Sequence, residues 1–276
     1  MNVTFLGGGN MATALIGGLV ARGADTRAFR VVEPFGAQQD KLRARFPGVG
    51  IFGEPAPGAI EGADLVVVAV KPQQMKEAAR ALAPNVGDVP VLMSIAAGIR
   101  IGDLSRWLGG YARIVRAMPN TPALVGAGIS GVFAPQAVDA ASRELAERVL
   151  ASVGAVVWVE REDLLDAVTG VSGSGPAYAF YFLEALEEAA RDLGLSEADA
   201  RKLAYATFAG AIKLAQASDD SPAVLRAQVT SKGGTTERAL ALLDEHGVKA
   251  RFVAAVKAAA ARAKELGDEL STDGAP

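Results

Sequence analysis

The chain has 276 residues, and its 28 Lys and Arg against 31 Asp and Glu give a net charge of −3 at pH 7. Half of the residues are hydrophobic, so the chain can bury a large core, and its length predicts two domains. The mild acidity argues against a nucleic-acid or anionic-membrane surface, which needs clustered Lys and Arg. With no cysteine and a single histidine, His246, the chain has no thiol nucleophile, and we expect no metal site.

The amino-terminal residues carry no basic segment, and their apolar run stops at Gly7. No window holds about 18 uninterrupted apolar residues, so no membrane span is expected. Together these features predict a cytoplasmic protein.

Short β-branched runs alternate with helical patterns over the first 160 residues. The predicted strands are residues 3–6, 29–33, 65–70, 91–95, 114–117, 129–133 and 156–159. The predicted helices between them are residues 10–22, 38–45, 73–82, 101–108 and 135–152. Several strands are continuously apolar, as expected where helices cover both faces of a parallel sheet. The alternation predicts an α/β fold, a Rossmann-type, doubly wound and mostly parallel sheet over residues 1–160.

After about residue 160 no β-rich run follows, and the pattern predicts an all-helical domain over residues 161–276. Its predicted helices are residues 163–169, 176–192, 197–217, 222–228, 237–245 and 248–266. The helix over 176–192 is apolar on more than one stripe, so we expect it to be buried on several sides. Either a subunit interface or the core of a monomer would cover it. We favour the interface, which makes this a dimerisation domain.

The sequence Gly7-Gly8-Gly9-Asn10-Met11-Ala12 follows the first strand directly and opens the first helix. It fits Gly-x-Gly-x-x-Ala, in which the first glycine makes a tight turn and the second lets the backbone approach a pyrophosphate. Ala12 allows close packing of helix and strand, and free N–H groups at the helix start face the anion. This context predicts a dinucleotide site.

Glu33 ends the second predicted strand, where an acidic residue commonly binds the adenine-side ribose and repels a 2′-phosphate. It favours NADH over NADPH, although Arg30, Lys41 or Arg43 could reach a phosphate. The alternative is an ordinary solvated carboxylate.

Two further loops follow the third and fourth strands, at the sheet edge where such folds bind ligands. They are Ala69-Val70-Lys71-Pro72 and Ala96-Ala97-Gly98. Their small residues suit a close approach to a cofactor, and Lys71 is either a cofactor contact or a surface lysine.

Two glycine-rich segments, residues 171–176 and 230–236, precede predicted helices of the second half. With hydroxyls at capping positions, such a turn can hold a carboxylate through N–H groups and side-chain oxygens. Each could instead be an N-cap alone. Two such turns in one cofactor-binding chain favour a small substrate with a carboxylate.

His246 lies at a predicted exposed helix end, and we expect no catalytic role for it. Reduction of a ketone usually needs a proton donor such as His, Lys or Tyr beside the carbonyl. A protonated C=N bond is already a hydride acceptor, so backbone N–H groups and hydroxyls would suffice for its reduction.

Five motifs, in order and over nearly the whole chain, resemble the pyrroline-5-carboxylate reductase family. They are Gly-Gly-Gly-Asn-Met-Ala, Ala-Val-Lys-Pro, Arg-Ala-Met-Pro-Asn-Thr-Pro from Arg116, Asp-Ala-Val-Thr-Gly-Val-Ser-Gly-Ser-Gly-Pro-Ala-Tyr from Asp166, and Gly-Gly-Thr-Thr from Gly233. The resemblance implies NAD(P)H-dependent reduction of 1-pyrroline-5-carboxylate to L-proline, the last step of proline synthesis. It also implies a homodimer with interlocked helical domains, often assembled further into a decamer.

By position, the resemblance also implies site residues. The implied cofactor contacts are Leu6, Gly7, Gly8, Gly9, Asn10, Met11, Glu33, Ala69, Val70, Lys71, Pro72, Ala96, Ala97, Gly98 and Gln228, of which Gln228 would reach the nicotinamide of a partner subunit. The implied substrate contacts are Glu162, Gly175, Thr235 and Thr236. Thr236 would hydrogen-bond the ring nitrogen and is the expected catalytic residue.

Two departures from the family pattern stand out. Lys232 replaces a common proline, which leaves its loop less rigid. Glu33 stands where NADP-preferring members carry a hydroxyl or a basic residue, so the choice between NADPH and NADH stays open.

Two alternative functions remain. A β-hydroxyacid dehydrogenase shares the architecture and the spacing of Gly170, Gly173 and Gly175, but Ala179 occupies the position of its acid lysine. A non-catalytic NAD(P)-binding sensor would need no second pocket, and the two glycine-rich segments argue against it.

Overall fold

The computed structural model describes residues 1–271, which form one sheet and a set of helices. The strands are β1 (Val3–Leu6), β2 (Phe29–Val32), β3 (Gly50–Phe52), β4 (Leu65–Val68), β5 (Val91–Ser94), β6 (Ile114–Met118), β7 (Gly128–Phe133) and β8 (Gly154–Trp158). The α-helices are α1 (Asn10–Ala21), α2 (Gly36–Arg45), α3 (Pro57–Ile60), α4 (Met75–Leu82), α5 (Ile101–Trp107), α6 (Ala140–Ala151), α7 (Leu164–Val168), α8 (Gly175–Asp192), α9 (Glu197–Gln216), α10 (Pro222–Gln228), α11 (Thr235–Glu245) and α12 (Val248–Ser271).

The eight strands lie in the order β3-β2-β1-β4-β5-β6-β7-β8. Every neighbouring pair is parallel except β6 and β7. Strand β1 pairs with β2 on one side and with β4 on the other, so the winding direction reverses at β1. Sheets of this kind bind ligands outside the carboxyl ends of the strands at that switch point. The predicted doubly wound, mostly parallel fold is confirmed.

Two apolar layers cover the two faces of the sheet. Phe5 and Val67 belong to one layer with Leu15 of α1, while Val68 belongs to the other with Met75 of α4. Neighbouring residues of one strand therefore face opposite layers, which explains why β4 is apolar at every position. Burying each large side chain stabilises the fold by about 1.5–3 kcal/mol.

The chain divides into two compact units. The first contains Met1–Ser174 and residues 258–271, and the second contains Gly175–Lys257. The first holds the whole sheet, and the second is helical. The division of function near residue 160, into a cofactor-binding and a substrate-binding domain, stays a prediction.

Besides shifts of one or two residues at other element ends, three details differ from the sequence prediction. Strand β3 and the single-turn helix α3 were not predicted, because each is too short for a hydrophobic period to emerge. Helix α6 begins at Ala140 rather than at residue 135, because the side chain of Asp139 caps it by accepting the N–H of Ser142 at 2.7 Å. Helix α12 runs past residue 266 to Ser271, because Gly267 is buried inside the helix instead of ending it.

The longest helices are α8, α9 and α12. Within residues 1–271, none of the helices combines the length and the apolarity that crossing a bilayer requires.

Candidate active site

The predicted cofactor residues of the first compact unit converge on one edge of the sheet. They follow or end β1, β2, β4 and β5, whose carboxyl ends meet at that edge because these strands pair in parallel. The residues are Leu6, Gly7, Gly8, Gly9, Asn10, Met11, Glu33, Ala69, Val70, Lys71, Pro72, Ala96, Ala97 and Gly98. This arrangement suits a dinucleotide laid across the switch point.

The glycine turn between β1 and α1 is shaped for an anion. Gly7 has a φ of +99°, and a Cβ there would lie 2.9 Å from the carbonyl oxygen of Ala69. A Cβ at Gly8 would lie 2.6 Å from Cδ1 of Leu42. At Gly9, the N-cap of α1, no heavy atom of a non-neighbouring residue lies within 4 Å of the position that a Cβ would occupy. Gly7 and Gly8 therefore build the turn, whereas Gly9 leaves open space beside the first N–H groups of α1, where a pyrophosphate fits.

Glu33 holds this turn from the end of β2. The residue is only 6% exposed; its Oε2 accepts the N–H of Gly8 at 2.9 Å and its Oε1 accepts the N–H of Phe35 at 3.0 Å. Gln38 of α2 braces the same turn, because its Nε2 donates to the carbonyl of Gly8 at 2.6 Å. Glu33 is thus an oriented carboxylate and not a solvated one. Gln38 was not predicted from the sequence, because its only signal is an amide in the first turn of the helix that follows β2.

The loops after β4 and β5 complete this edge of the sheet. The N–H of Ala69 donates to the carbonyl of Leu6 at 2.8 Å, which extends the pairing of the two strands into the loop. Lys71 is exposed and precedes a short 3₁₀ turn that begins at Pro72. Gly98 has a φ of +77°, and a Cβ there would lie 3.4 Å from Cδ1 of Leu270 in α12. The second loop is therefore packed beneath the end of α12.

An ionic cluster in the first unit joins Arg116 of β6 to two acidic residues that follow β8 in the sequence. Arg116 of β6 is 4% exposed, and its Nη1 lies 3.0 Å from Oε1 of Glu162, the predicted substrate contact. Its Nη2 lies 3.9 Å from Oδ1 of Asp166. Burial raises the pKa of the Asp166 carboxyl, an effect that the charges of Arg116 and Arg100 oppose. Arg116 was not predicted as a site residue, because in the sequence it is only the start of a motif; its signal is a lone charge inside an apolar strand.

Residues 171–176 do not form the glycine-rich turn that the sequence predicts. Thr169–Gly173 forms a π-helical turn after α7, in which the N–H of Ser174 donates to the carbonyl of Thr169 at 2.8 Å. Close packing favours this path, because a Cβ on Gly173 would lie 2.7 Å from Cε of Met118. Gly175 then begins α8 directly after this helical stretch.

The other glycine-rich segment is a turn before a helix, as predicted. Gly234 is the N-cap of α11, and the N–H of Gly233 donates to Oε2 of Glu237 at 2.7 Å. Thr235 and Thr236 therefore occupy the first turn of α11, where N–H groups and a positive helix end favour an anion.

Gln228 and His246 lie at the carboxyl ends of two helices of the second unit. Gln228 ends α10, and its Nε2 donates to Oδ2 of Asp220 at 2.8 Å. His246 is the exposed C-cap of α11.

The predicted site residues thus belong to both units. The first carries the glycine turn, its neighbouring loops and Glu162, and the second carries Gly175, Gln228, Thr235 and Thr236. The groups that the second unit offers are backbone N–H groups, hydroxyls and an amide. These can hold a carboxylate or a ring nitrogen, but they do not exchange protons near neutral pH. Such a set suits a substrate that arrives already protonated.

Comparisons with known proteins point to one family. Residues 162–266 match a model described as pyrroline-5-carboxylate reductase dimerisation, and residues 2–98 match one described as NADP oxidoreductase, coenzyme F420-dependent. A pyrroline-5-carboxylate reductase of Pseudomonas aeruginosa is 42% identical over 268 residues, covering 97% of each chain.

Two solved structures have the same fold along their whole length. A pyrroline-5-carboxylate reductase of Coxiella burnetii superposes with a TM-score of 0.90 at 41% identity, covering 96% of this chain and 98% of the other. A pyrroline carboxylate reductase of Plasmodium falciparum, solved with NADP bound, superposes with a TM-score of 0.85 at 27% identity, covering 97% and 98%.

Proposed function

The chain belongs to the pyrroline-5-carboxylate reductase family, and we propose its function from that premise. It is an NAD(P)H-dependent oxidoreductase that reduces the C=N bond of 1-pyrroline-5-carboxylate to give L-proline, the last step of proline biosynthesis. The observation that carries this assignment is the 42% identity to a pyrroline-5-carboxylate reductase along 97% of both chains. Neither alternative, a β-hydroxyacid dehydrogenase or a non-catalytic sensor, receives support from the comparisons.

The residues of the glycine turn fit the cofactor that this reaction needs. The open space at Gly9 and the helix start beside it suit a pyrophosphate. When bound, NAD(P)H would supply the hydride that reduces the C=N bond. The chain's own part is to orient the ring, hold its carboxylate and exclude water.

We propose that Glu162, Gly175, Thr235 and Thr236 form the substrate site and that the hydroxyl oxygen of Thr236 accepts a hydrogen bond from the protonated ring nitrogen. The position of Thr235 and Thr236 in the first turn of α11 supports this, because N–H groups there favour the substrate carboxylate. Gln228 is proposed to reach the nicotinamide of a partner subunit.

The coenzyme preference is proposed to be for NADH. Glu33 is buried against the glycine turn with both carboxylate oxygens engaged, which places a negative charge at the ribose end of the site. A 2′-phosphate would be repelled there, whereas ribose hydroxyls could donate to the same oxygens.

The helical unit is proposed to form a homodimer with a second copy of this chain. Helices α8, α10 and α11 contain no buried residue, and α9 buries only Ala200 and Ala204. Large apolar side chains on these helices are exposed, among them Phe180, Tyr181 and Ile212. Apolar surface on this scale normally marks an interface. The decamer and the cytoplasmic location stay predictions.

Turnover with defined substrates tests the function. We expect both NADH and NADPH to be oxidised when 1-pyrroline-5-carboxylate is added, with one L-proline formed per cofactor. Oxidation of 3-hydroxyacids with no activity on the pyrroline would instead identify a dehydrogenase. Cofactor binding without turnover of any of these compounds would identify a sensor.

A further inference from the structure

One charged side chain of the first unit is buried inside the sheet and has no assigned role. Arg116 lies on β6 between Val115 and Ala117, both of which are at most 1% exposed, and its own side chain is 5% exposed. A guanidinium in such surroundings is costly unless it is paired and hydrogen-bonded. Its partners therefore determine why it is tolerated there.

Arg116 is paired with the carboxylate that the proposed function assigns to substrate binding. Its Nη1 donates to Oε1 of Glu162 at 3.0 Å, and the same oxygen accepts the N–H of Ile101, the first residue of α5, at 2.8 Å. The other oxygen, Oε2, accepts no hydrogen bond from any residue that the structure describes. The Glu162 side chain is 27% exposed, so it is held at one oxygen and open at the other.

The charges around this pair make Arg116 hard to replace. Asp166 is also within 4 Å of the guanidinium, at 3.9 Å, and its side chain is 18% exposed. The neighbouring Arg100 is bound to Asp268 at 2.5 Å rather than to Glu162. Without Arg116, the partly buried carboxylates of Glu162 and Asp166 would have no cation within 4 Å among the residues that the structure describes.

We propose that Arg116 is a positioning residue for the substrate: it fixes the Glu162 carboxylate so that Oε2 is presented to the bound pyrroline ring. This inference rests on the proposed function, in which Glu162 contacts the substrate. A carboxylate oriented in this way favours the cationic form of the imine, which is the form that accepts hydride. Arg116 itself touches neither the substrate nor the cofactor.

Arg116 is expected to affect the binding of the substrate but not that of the cofactor. Arg116 acts on Glu162, whereas the glycine turn is held by Glu33 and Gln38. Loss of the guanidinium is therefore expected to weaken binding of the pyrroline and of L-proline while leaving NAD(P)H binding unchanged. A purely structural role would instead lower stability and weaken both ligands together.

The test uses the full chain and compares Arg116→Gln, Arg116→Lys and Glu162→Gln with the wild type. For Arg116→Gln we expect KM for 1-pyrroline-5-carboxylate and Kd for L-proline to rise by about tenfold, with kcat and the Kd for NADPH changed by less than about threefold. Arg116→Lys restores a cation and is expected to recover most of the loss. Glu162→Gln is expected to raise the same two constants. In the double variant Arg116→Gln, Glu162→Gln, these constants are expected to be no higher than in the more impaired of the two single variants.

Arg161→Gln is the matched control, because Arg161 adjoins Glu162 in the sequence but is 68% exposed and bound to Asp163. It is expected to leave all constants unchanged. An Arg116→Gln variant with wild-type KM, or one that weakens the substrate and NADPH equally, would overturn the inference. Should Arg116→Gln fail to fold, Arg116→Lys and Glu162→Gln decide: a wild-type KM for Glu162→Gln, or an Arg116→Lys variant that weakens the substrate and NADPH equally, would overturn the inference. An inactive wild type would refute the proposed function, whereas an active wild type with unaltered variants refutes only the role of Arg116.

Discussion

Of three adjacent glycines, two are required by the backbone turn and the third is not. Gly7 needs a positive φ and Gly8 lies against Leu42, so the turn itself requires both residues. Gly9 has an ordinary φ of −70° and open space where a side chain would be. The protein without ligands therefore tolerates a methyl group at Gly9, and the constraint there comes from the cofactor.

Gly9→Ala is expected to raise the Kd for NADH and NADPH by at least about tenfold, because the new methyl group occupies the space assigned to the pyrophosphate. Its cost in the free energy of unfolding should stay below about 1 kcal/mol, the range for replacing a glycine N-cap by alanine. Gly7→Ala, the comparison variant, should cost about 1–3 kcal/mol through backbone strain. Chemical denaturation and fluorescence titration measure the two effects, and equal destabilisation by both variants would contradict this division.

Glu33→Ser tests how the chain reads the ribose. Removing the carboxylate should raise the ratio of kcat/KM for NADPH to that for NADH by about tenfold, because a nearby negative charge no longer opposes the 2′-phosphate. Catalysis with NADH should also fall, since the N–H of Gly8 loses its acceptor. Glu61→Ser, at an exposed position before β4 and thus at the opposite edge of the sheet, is the control. An unaltered cofactor ratio would show that Glu33 does not read the ribose.

Site residues could be predicted where the residues that act together lie close in the sequence. The glycine turn and Glu33 could be identified because strand, turn and helix follow one another in the sequence. The pairing of Arg116 with Glu162 could not, because 46 residues separate them and the pairing of β6, β7 and β8 in the sheet brings them together. An arginine inside an apolar strand indicates a buried partner without naming it.

At the scale of elements, glycine near a helix end was the ambiguous signal. The last helix is predicted from the sequence to end at residue 266, just before Gly267, yet α12 continues through Gly267 to Ser271. A Cβ on Gly267 would lie 3.0 Å from the carbonyl oxygen of Gly98, so a glycine lets the helix lie against the cofactor loop. Arg100 and Asp268 join the same two segments at 2.5 Å, and the hydroxyl of Ser271 donates to Asp103. The close approach, and not a helix end, explains the glycine.

Gly267→Val is expected to destabilise the first unit by about 1–3 kcal/mol through overpacking and to weaken NAD(P)H binding by moving Gly98. Gly102→Val is the matched control, because Gly102 also lies in a helix, α5, but has no atom within 4 Å of the Cβ position. It should change stability by less than about 0.5 kcal/mol. Thermal melts with and without NADH provide the measurement. Equal melting temperatures for the two variants would show that the contact between α12 and the loop contributes nothing.

For the molecule as a whole, the two compact units differ in how many apolar side chains each buries within a single chain. The first buries two apolar layers against its sheet, which the continuous apolar strands indicated in advance. The second buries almost nothing within one chain, although the sequence pattern of α8 predicted burial on several sides. Periodicity can indicate that a helix face is covered, but it does not distinguish cover by the same chain from cover by another one.

Ile212→Asp tests the proposed dimer, because Ile212 on α9 is 58% exposed in the single chain. We expect the variant to sediment as a monomer and to lose most of its activity, since a charge would be buried in an apolar interface. Lys202→Asp introduces the same residue at a polar position of the same helix and should leave the dimer intact. A monomeric wild type, or a dimeric and fully active Ile212→Asp variant, would reject this interface.

Transfer of deuterium from a labelled cofactor tests the reaction most directly. With 1-pyrroline-5-carboxylate and nicotinamide cofactor deuterated at the transferring C4 position, we expect L-proline with one deuterium at ring carbon 5 for each cofactor oxidised. Mass spectrometry and NMR of the product locate the label. Proline without deuterium, or cofactor oxidation without proline, would contradict direct hydride transfer to the C=N bond.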